Sequence, residues 1–313
     1  MSPNSAELMK NAGRAGLAIP AFNIPYLPMM APVIQAMIDE DAFGLIETAR
    51  PEWYKFEARS AAAIAEEFAK YENPDFVRLH LDHVPVIDED NLEVDYLPVI
   101  RDAIDLGYQS VMIDGSRLDL DANIAATRQV AELAHQAGIP CEAELGSVLG
   151  HEDGPPLPYE EIFASGRGFT DVEEARRFVQ ESGCDWLSVA VGSVHGAISG
   201  VMKDQKKVEA RLNIEHLQAI RDATDVPLVL HGGSGVQRPY LLEAIRHGMT
   251  KVNIGTEIRQ AYEQSYRQSE DVGEAQEATY ERTRWLLRDY FNLTGTRDQV
   301  FGAAKVAERL PGK

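Results

Sequence analysis

Three histidines fall where strand-like runs end: His83 in Leu-Asp-His, His195 in Val-His-Gly and His231 in Leu-His-Gly-Gly-Ser-Gly. They are too far apart for a local zinc-finger spacing. In a closed barrel of parallel strands, however, every strand end opens on one face. Three imidazoles converging there make a metal site with room for a substrate. The run His80-Leu81-Asp82-His83 adds a carboxylate. Period-two alternation turns His80 and Asp82 toward the interior and leaves His83 at the start of the loop. A carboxylate beside a metal-bound imidazole supports acid–base work. A single Asp-His pair reads first as a structural strand-end contact, and the other two histidines shift the balance to metal. His135, His216 and His247 fall on predicted helices and read as surface residues.

Other residues could complete a site. His231-Gly232-Gly233-Ser234-Gly235 comes after strand seven and strand eight leads into Asn253-Ile254-Gly255-Thr256, in the loops where barrel enzymes commonly hold phosphate on backbone amides. Glycine allows close approach to an anion, and Ser234 and Thr256 add hydroxyl donors. Glu142 and Glu144 face one side of strand five, and Asp114-Gly115-Ser116 ends strand four. Asp114 and Glu144 could hold a second cation, orient metal ligands, or form a hydrogen-bonded polar layer. Glu152 sits in Gly150-His151-Glu152-Asp153-Gly154, an acidic loop that read alone is simply solvated. A Schiff-base enzyme needs a desolvated strand lysine. None is expected in the interior, because Lys251 opens strand eight at its non-catalytic end.

The elements that must position these residues alternate along the chain. Strands are predicted at Leu17–Asn23, Gly44–Thr48, Phe76–His83, Ser110–Asp114, Pro140–Leu145, Trp186–Val191, Pro227–His231 and Lys251–Ile254. Helical periodicity marks Leu97–Leu106, Asn123–Ala137, Val172–Ser182, Ile214–Ala223 and Tyr240–His247. Eight βα units without a long linker predict an α/β fold, a (β/α)₈ barrel in one domain over 1–313; an open doubly wound sheet is the competitor. Two long loops, Gly146–Thr170 and Gly196–Asn213, would overhang the catalytic face. Residues 257–313 read as the eighth helix plus a C-terminal helical extension.

With 30 Lys+Arg against 50 Asp+Glu, the net charge of −20 argues against nucleic acid or an anionic membrane as partner. Cys141 and Cys184 lie in apolar runs and read as buried thiols of a reducing compartment. Without a signal sequence or a membrane-length apolar run, a cytoplasmic protein is expected.

Across nearly its whole length the sequence resembles the class II, metal-dependent fructose-bisphosphate and tagatose-bisphosphate aldolases. The resemblance rests on Ala21-Phe22-Asn23, Leu81-Asp82-His83, Val111 through Ser116, Glu142 through Gly146, Gly150 through Asp153, Val191 through Gly196, Leu230 through Gly235 and Lys251 through Glu257. It implies a homodimeric or homotetrameric barrel that binds a divalent ion, commonly zinc, on His83, His195 and His231. It further implies that Asp82 handles the proton of the aldehyde-derived oxygen. Glu152 would move the proton at the carbon of dihydroxyacetone phosphate, and a metal-stabilised enediolate would link the two steps. Asn23, Gly196, Gly232, Gly233, Ser234, Asn253, Gly255 and Thr256 would hold the sugar phosphate. Asp114 and Glu144 match an auxiliary metal position, and a monovalent cation near the phosphate is a further family feature.

One segment departs from the family pattern. Members usually carry a Gln and, two residues later, a Ser after strand two, where this chain has Glu47-Thr48-Ala49-Arg50. Loss of the serine removes a phosphate donor, whereas Arg50 offers a stronger anion partner and Glu47 suits hydroxyls. The expectation is a ketose 1-phosphate or bisphosphate aldolase that keeps the dihydroxyacetone phosphate half and alters the aldehyde half. The competing readings are a metal-dependent barrel epimerase or hydrolase and a degenerate, non-catalytic aldolase-like protein. Neither explains why Asp82, Glu152, all three histidines and both glycine loops occur together.

Overall fold

A computed structural model describes residues 3–146, 159–193 and 210–302. The chain opens with helix α1 (Ser5–Ala15), then β1 (Ile19–Asn23) and α2 (Met30–Asp39). Next come β2 (Gly44–Ala49), α3 (Arg50–Lys55), α4 (Ala61–Phe68), β3 (Val77–Pro85) and α5 (Tyr96–Asp105). The middle holds β4 (Ser110–Asp114), α6 (Leu120–Gln136), β5 (Cys141–Leu145), α7 (Tyr159–Ser165), α8 (Val172–Ser182) and β6 (Trp186–Val189). It continues through α9 (Ile214–Thr224), β7 (Leu228–Leu230), α10 (Arg238–Arg246) and β8 (Met249–Ile254). Helices α11 (Thr256–Ser269), α12 (Val272–Trp285) and α13 (Arg297–Val300) follow.

The strands pair in sequence order, all parallel, and β1 closes on β8, so the sheet is a (β/α)₈ barrel. The open-sheet alternative is excluded. Local chemistry sets the helix starts. Asp119 accepts from the Ala122 N–H, Asp171 from those of Glu173 and Glu174, and Asn213 from that of His216. Each supplies an acceptor that the first helical turn otherwise lacks. Gly138 (φ 74°) turns the chain out of α6 into β5, as its place before Ile139-Pro140 suggests.

Alternation along each strand divides the interior into layers. At the N-terminal end the filling is apolar: Ile19, Ala21, Leu45, Trp186 and Val229 pack with Leu8, Met9 and Ala12 of α1, which plugs that end. Toward the C-terminal end, the same inward faces carry Glu47, His80, Asp82, Glu142, Glu144, Ser188 and Lys251, all nearly or fully buried. Trp186 joins the two layers, since its ring lies 6.0 Å from that of His80. Both cysteines are buried and unpaired. Among the described residues, no helix is long and apolar enough to cross a membrane.

Because the Trp186 side chain is 1% exposed and fills the floor beneath the polar layer, Trp186→Ala should cost about 3–5 kcal/mol. A guanidinium unfolding midpoint unchanged from wild type would contradict that placement.

Candidate active site

Strand β3 continues past the point where the sequence suggests it stops. His83 lies within it rather than in the following loop, and the reason is a β-bulge. Leu81 pairs with Val111 and Val84 with Ile113, so β3 carries one residue more than β4 over this stretch. The extra length is absorbed at His83, whose φ is 35°, and its N–H points to the Met112 sulfur at 3.4 Å. In a regular strand, Asp82 and His83 would face opposite sides. Here ligand atoms of Asp82, His83 and His231 lie within 4.8 Å of one another.

Each imidazole is held from behind. His83 Nδ1 is 3.2 Å from Asp114, whose other oxygen accepts from the Ser116 N–H (3.0 Å) and hydroxyl (2.6 Å). His231 follows the end of β7, with Nδ1 2.8 Å from Glu144 and Nε2 2.9 Å from Glu142. The His83 and His231 ring centres are 4.4 Å apart. Burial disfavours charge on either ring. Even so, Asp82 and Asp114 hold His83 well above the usual histidine range, and Glu144 and Glu142 raise His231 to about 9. A pair of close imidazoles ringed by carboxylates is a donor set suited to a divalent ion of zinc type, which would displace those protons. Asp114 and Glu144 join His83 in a second such cluster. His195, Glu152 and Gly196 lie outside the described residues.

Asp82 is 2% exposed and clamped by two amides, accepting from Asn23 Nδ2 and Asn253 Nδ2 at 3.0 Å each. Burial raises its pKa, but the neighbouring His83, Lys251 and His231 outweigh that and hold it below the ordinary aspartate value. It is an oriented, ionised carboxylate beside the two imidazoles. That geometry suits proton transfer.

Beyond β7 and β8 the glycine loops are shaped by crowding. A Cβ on Gly233 would lie 2.4 Å from Val252 Cγ1, and Gly232 has φ 69°. The Ser234 hydroxyl is buried with no hydrogen-bond partner among the described residues. Gly255 precedes α11, so Thr256 begins a 14-residue helix whose free N–H groups face the same end of the barrel.

The residues expected to read the far end of the substrate separate. Arg50 opens α3 at the rim, immediately after Ala49, which pairs with Asp82 in the sheet. Its guanidinium lies 3.5 Å from Asp88 and 5.7 Å from the Tyr54 ring centre, with the side chain 29% exposed. Glu47 instead lies fully buried in the barrel, 3.2 Å from Lys251. Burial, then the Asp82 charge, raise its pKa to about 8.

The expected absence of an interior lysine is wrong. Strand β8 begins at Met249, so Lys251 is its third residue and shares the inward face of Asn253. Its ammonium is fully buried, 3.2 Å from Glu47 and 2.9 Å from Glu142. Burial alone would release the proton, but the two carboxylates outweigh it and raise the pKa. A lysine held as ammonium is no nucleophile, so iminium chemistry is disfavoured on this different ground.

Glu52 went unnoticed in the sequence. At the third position of α3 it turns back to accept from the Ala49 N–H at 2.9 Å. Burial, together with Asp82, raises its pKa to about 8. A Pro at the second helical position followed by Glu is the signal that could have placed it. Among the other histidines, His135 is exposed beside Asp185 and His247 contacts Glu243. His216 and His247 are both partly exposed, and His216 Nε2 lies 2.7 Å from the Thr170 carbonyl.

The family model described as fructose-bisphosphate aldolase class-II matches residues 3–298. The chain belongs to that family. It is 34% identical over 313 aligned residues to the 6-phospho-5-dehydro-2-deoxy-D-gluconate aldolase of Bacillus subtilis (strain 168), covering 95% of this chain and 98% of that one. To the protein of the same name from Bacillus velezensis it is 36% identical over 261 residues, covering 82% and 80%. Among solved structures it is similar to the YdjI aldolase from Escherichia coli K12, with a TM-score of 0.74, 27% identity and coverage of 95% and 100%. The protein is an enzyme, a lyase of the class II aldolase family, whose members depend on a metal.

For this aldolase the raised His83 and His231 values make metal binding compete with protons. Both rings are protonated below their raised values, so zinc affinity should rise with pH toward about 9, by up to about tenfold per unit for each displaced proton. Calorimetry of zinc binding in buffers of different ionisation enthalpy measures that proton release. Affinity independent of pH between 6 and 9 would refute the assignment.

Proposed function

We propose that this enzyme cleaves a ketose phosphate whose far end carries a carboxylate, releasing dihydroxyacetone phosphate and a small aldehyde acid. The observation that carries this reading is the position of Arg50: a partly exposed guanidinium on the rim beside β3, one residue beyond the sheet partner of Asp82. Ala49 and Arg50 replace a hydroxyl donor by a planar fork that matches a carboxylate. The names of the Bacillus relatives agree, since 6-phospho-5-dehydro-2-deoxy-D-gluconate has a phosphate at one end and a carboxylate at the other. Breaking the bond between carbons three and four of that compound leaves dihydroxyacetone phosphate and 3-oxopropanoate.

In this reading Gly196, Gly232, Gly233, Ser234, Asn253, Gly255 and Thr256 hold the phosphate. Asn23 keeps Asp82 aimed at the hydroxyl on carbon three. Asp82 takes that hydroxyl proton as the carbonyl of the leaving aldehyde forms. Glu152 delivers a proton to carbon four of the departing ketone. A divalent ion, zinc in most of the family, on His83, His195 and His231 would supply a Lewis acid for the negative charge that develops. Asp114 would orient His83 and, with Glu144, offers an auxiliary site. A soluble, cytoplasmic homodimer or homotetramer is the setting this reading assumes.

The test is a substrate panel assayed for dihydroxyacetone phosphate release. Cleavage of the acid-ended phosphate should exceed that of fructose 1,6-bisphosphate in kcat/KM, and the reverse preference would reject the reading. Arg50→Ala should lower kcat/KM for the acid-ended substrate by roughly 10- to 150-fold, the worth of one charged hydrogen bond, while hydrogen exchange into dihydroxyacetone phosphate alone is retained.

The role of Asp82 is tested separately. Asp82→Asn should keep zinc bound yet reduce kcat by about 10²–10⁴-fold. Near-wild-type turnover would remove Asp82 from the proton path.

A further inference from the structure

The buried charges beneath the rim form a chain across the barrel from four strands: Glu47 on β2, Lys251 on β8, Glu142 on β5 and His231 just after β7. Lys251 lies 3.2 Å from Glu47 and 2.9 Å from Glu142 Oε2, and the Glu142 Oε1 lies 2.9 Å from His231 Nε2. His80 closes the side: its Nε2 is 3.5 Å from Glu142 Oε2, and its Nδ1 is 2.8 Å from the Ser110 hydroxyl. Glu47, Lys251 and Glu142 are all fully buried. Buried ion pairs are often no more stabilising than apolar side chains of the same volume, so their presence needs another reason.

We propose that Lys251 is a positioning residue for the metal-binding ring of His231, acting through Glu142. The inference rests on the metal-aldolase reading above. The geometry explains the mechanism. Lys251 occupies one Glu142 oxygen, which leaves the carboxylate a single orientation, with its other oxygen on His231 Nε2. That ring nitrogen is thereby committed, and Nδ1 is turned toward Glu144, 2.8 Å away, on the side where His83 stands. Glu47, 3.2 Å away, is the second carboxyl group that holds the ammonium in place. Without Lys251 the Glu142 carboxylate loses its anchor and the imidazole its fixed edge. Glu142, one contact removed from the ligand, is the kind of partner that typically governs about 10- to 100-fold in metal affinity, and Lys251 acts by fixing it.

The experiment compares the wild type with Lys251→Met/Glu47→Gln, which removes the lysine together with its other carboxyl partner, and with Glu142→Gln, which keeps the side-chain shape. Zinc affinity is measured by competition with a chromophoric chelator. The zinc-loaded proteins, labelled with ¹⁵N-histidine, are examined for the slowly exchanging Nε2–H signal of His231. Zinc binding about 10- to 100-fold weaker, with that proton exchanging faster and the melting temperature of the metal-free protein maintained, supports the proposal. A folded double variant with wild-type zinc affinity and a protected Nε2–H overturns it. If the double variant does not fold, Glu142→Gln decides: unchanged affinity and exchange overturn the proposal, and loss of both supports it. A wild type that binds no zinc would instead sink the metal-aldolase reading, so the two failures are distinguishable.

Discussion

Charge compensation inside the barrel is the constraint on which the rest of the molecule depends. Glu47, Asp82, Glu142 and Glu144 are all nearly or fully buried, and Asp114 stands at the rim beside them. Isolated, each ionised carboxylate would cost several kcal/mol to desolvate. They persist because Lys251, His83 and His231 stand among them, at 2.8–3.2 Å from Glu47, Asp114, Glu142 and Glu144. The balance still leans negative. Burial first, and then the Asp82 charge, shift Glu47 toward its protonated form, while Glu144 and Glu142 shift His231 the same way against the effect of burial. A site that draws protons onto His83 and His231 also draws a divalent cation, which brings more charge to the same positions. The apolar floor under Trp186 sharpens this by excluding water from one end, so the field is directed toward the open rim.

Much of this was legible in the sequence, because the barrel repeats a simple signal. Strand β4 and helix α8 have the bounds the sequence predicts, and the remaining strands differ from expectation only by small shifts at their ends. The residues grouped at the rim, Asp82, His83, Asp114, Glu144, His231 and Asn253, were all named from strand ends and period-two alternation. What escaped was set by tertiary contacts. The bulge at His83 depends on how β3 meets β4, and no local pattern in His80-Leu81-Asp82-His83 announces it. Lys251 reads in the sequence as the first residue of β8, whereas the strand starts two residues earlier, at Met249. Depth in the barrel, and not residue type, decides whether a lysine meets water or two carboxylates. Glu52 was lost because α3 is a six-residue helix whose only sequence mark is its capping pattern.

The catalytic face divides into a rigid side and an adjustable one, for physical reasons. On the β7–β8 side, where the proposed phosphate site lies, the backbone is closely packed. Gly233 has no space for a Cβ beside Val252, and the Tyr290 hydroxyl reaches the carbonyls of Gly233 and Val236 from the C-terminal helices. A side chain there has little freedom to vary without moving the main chain. On the β2–β3 side, contacts come from side chains: Arg50 with Asp88 and Tyr54, and Lys55 with Glu89 at 2.5 Å. These partly exposed ion pairs can be exchanged with small effects on stability, since such pairs are worth about 0–1 kcal/mol. On the proposed reading, a barrel can thus keep the half-site that reads phosphate while changing the half-site that reads the aldehyde, and Arg50, partly exposed just beyond β2, lies where such a change is least costly.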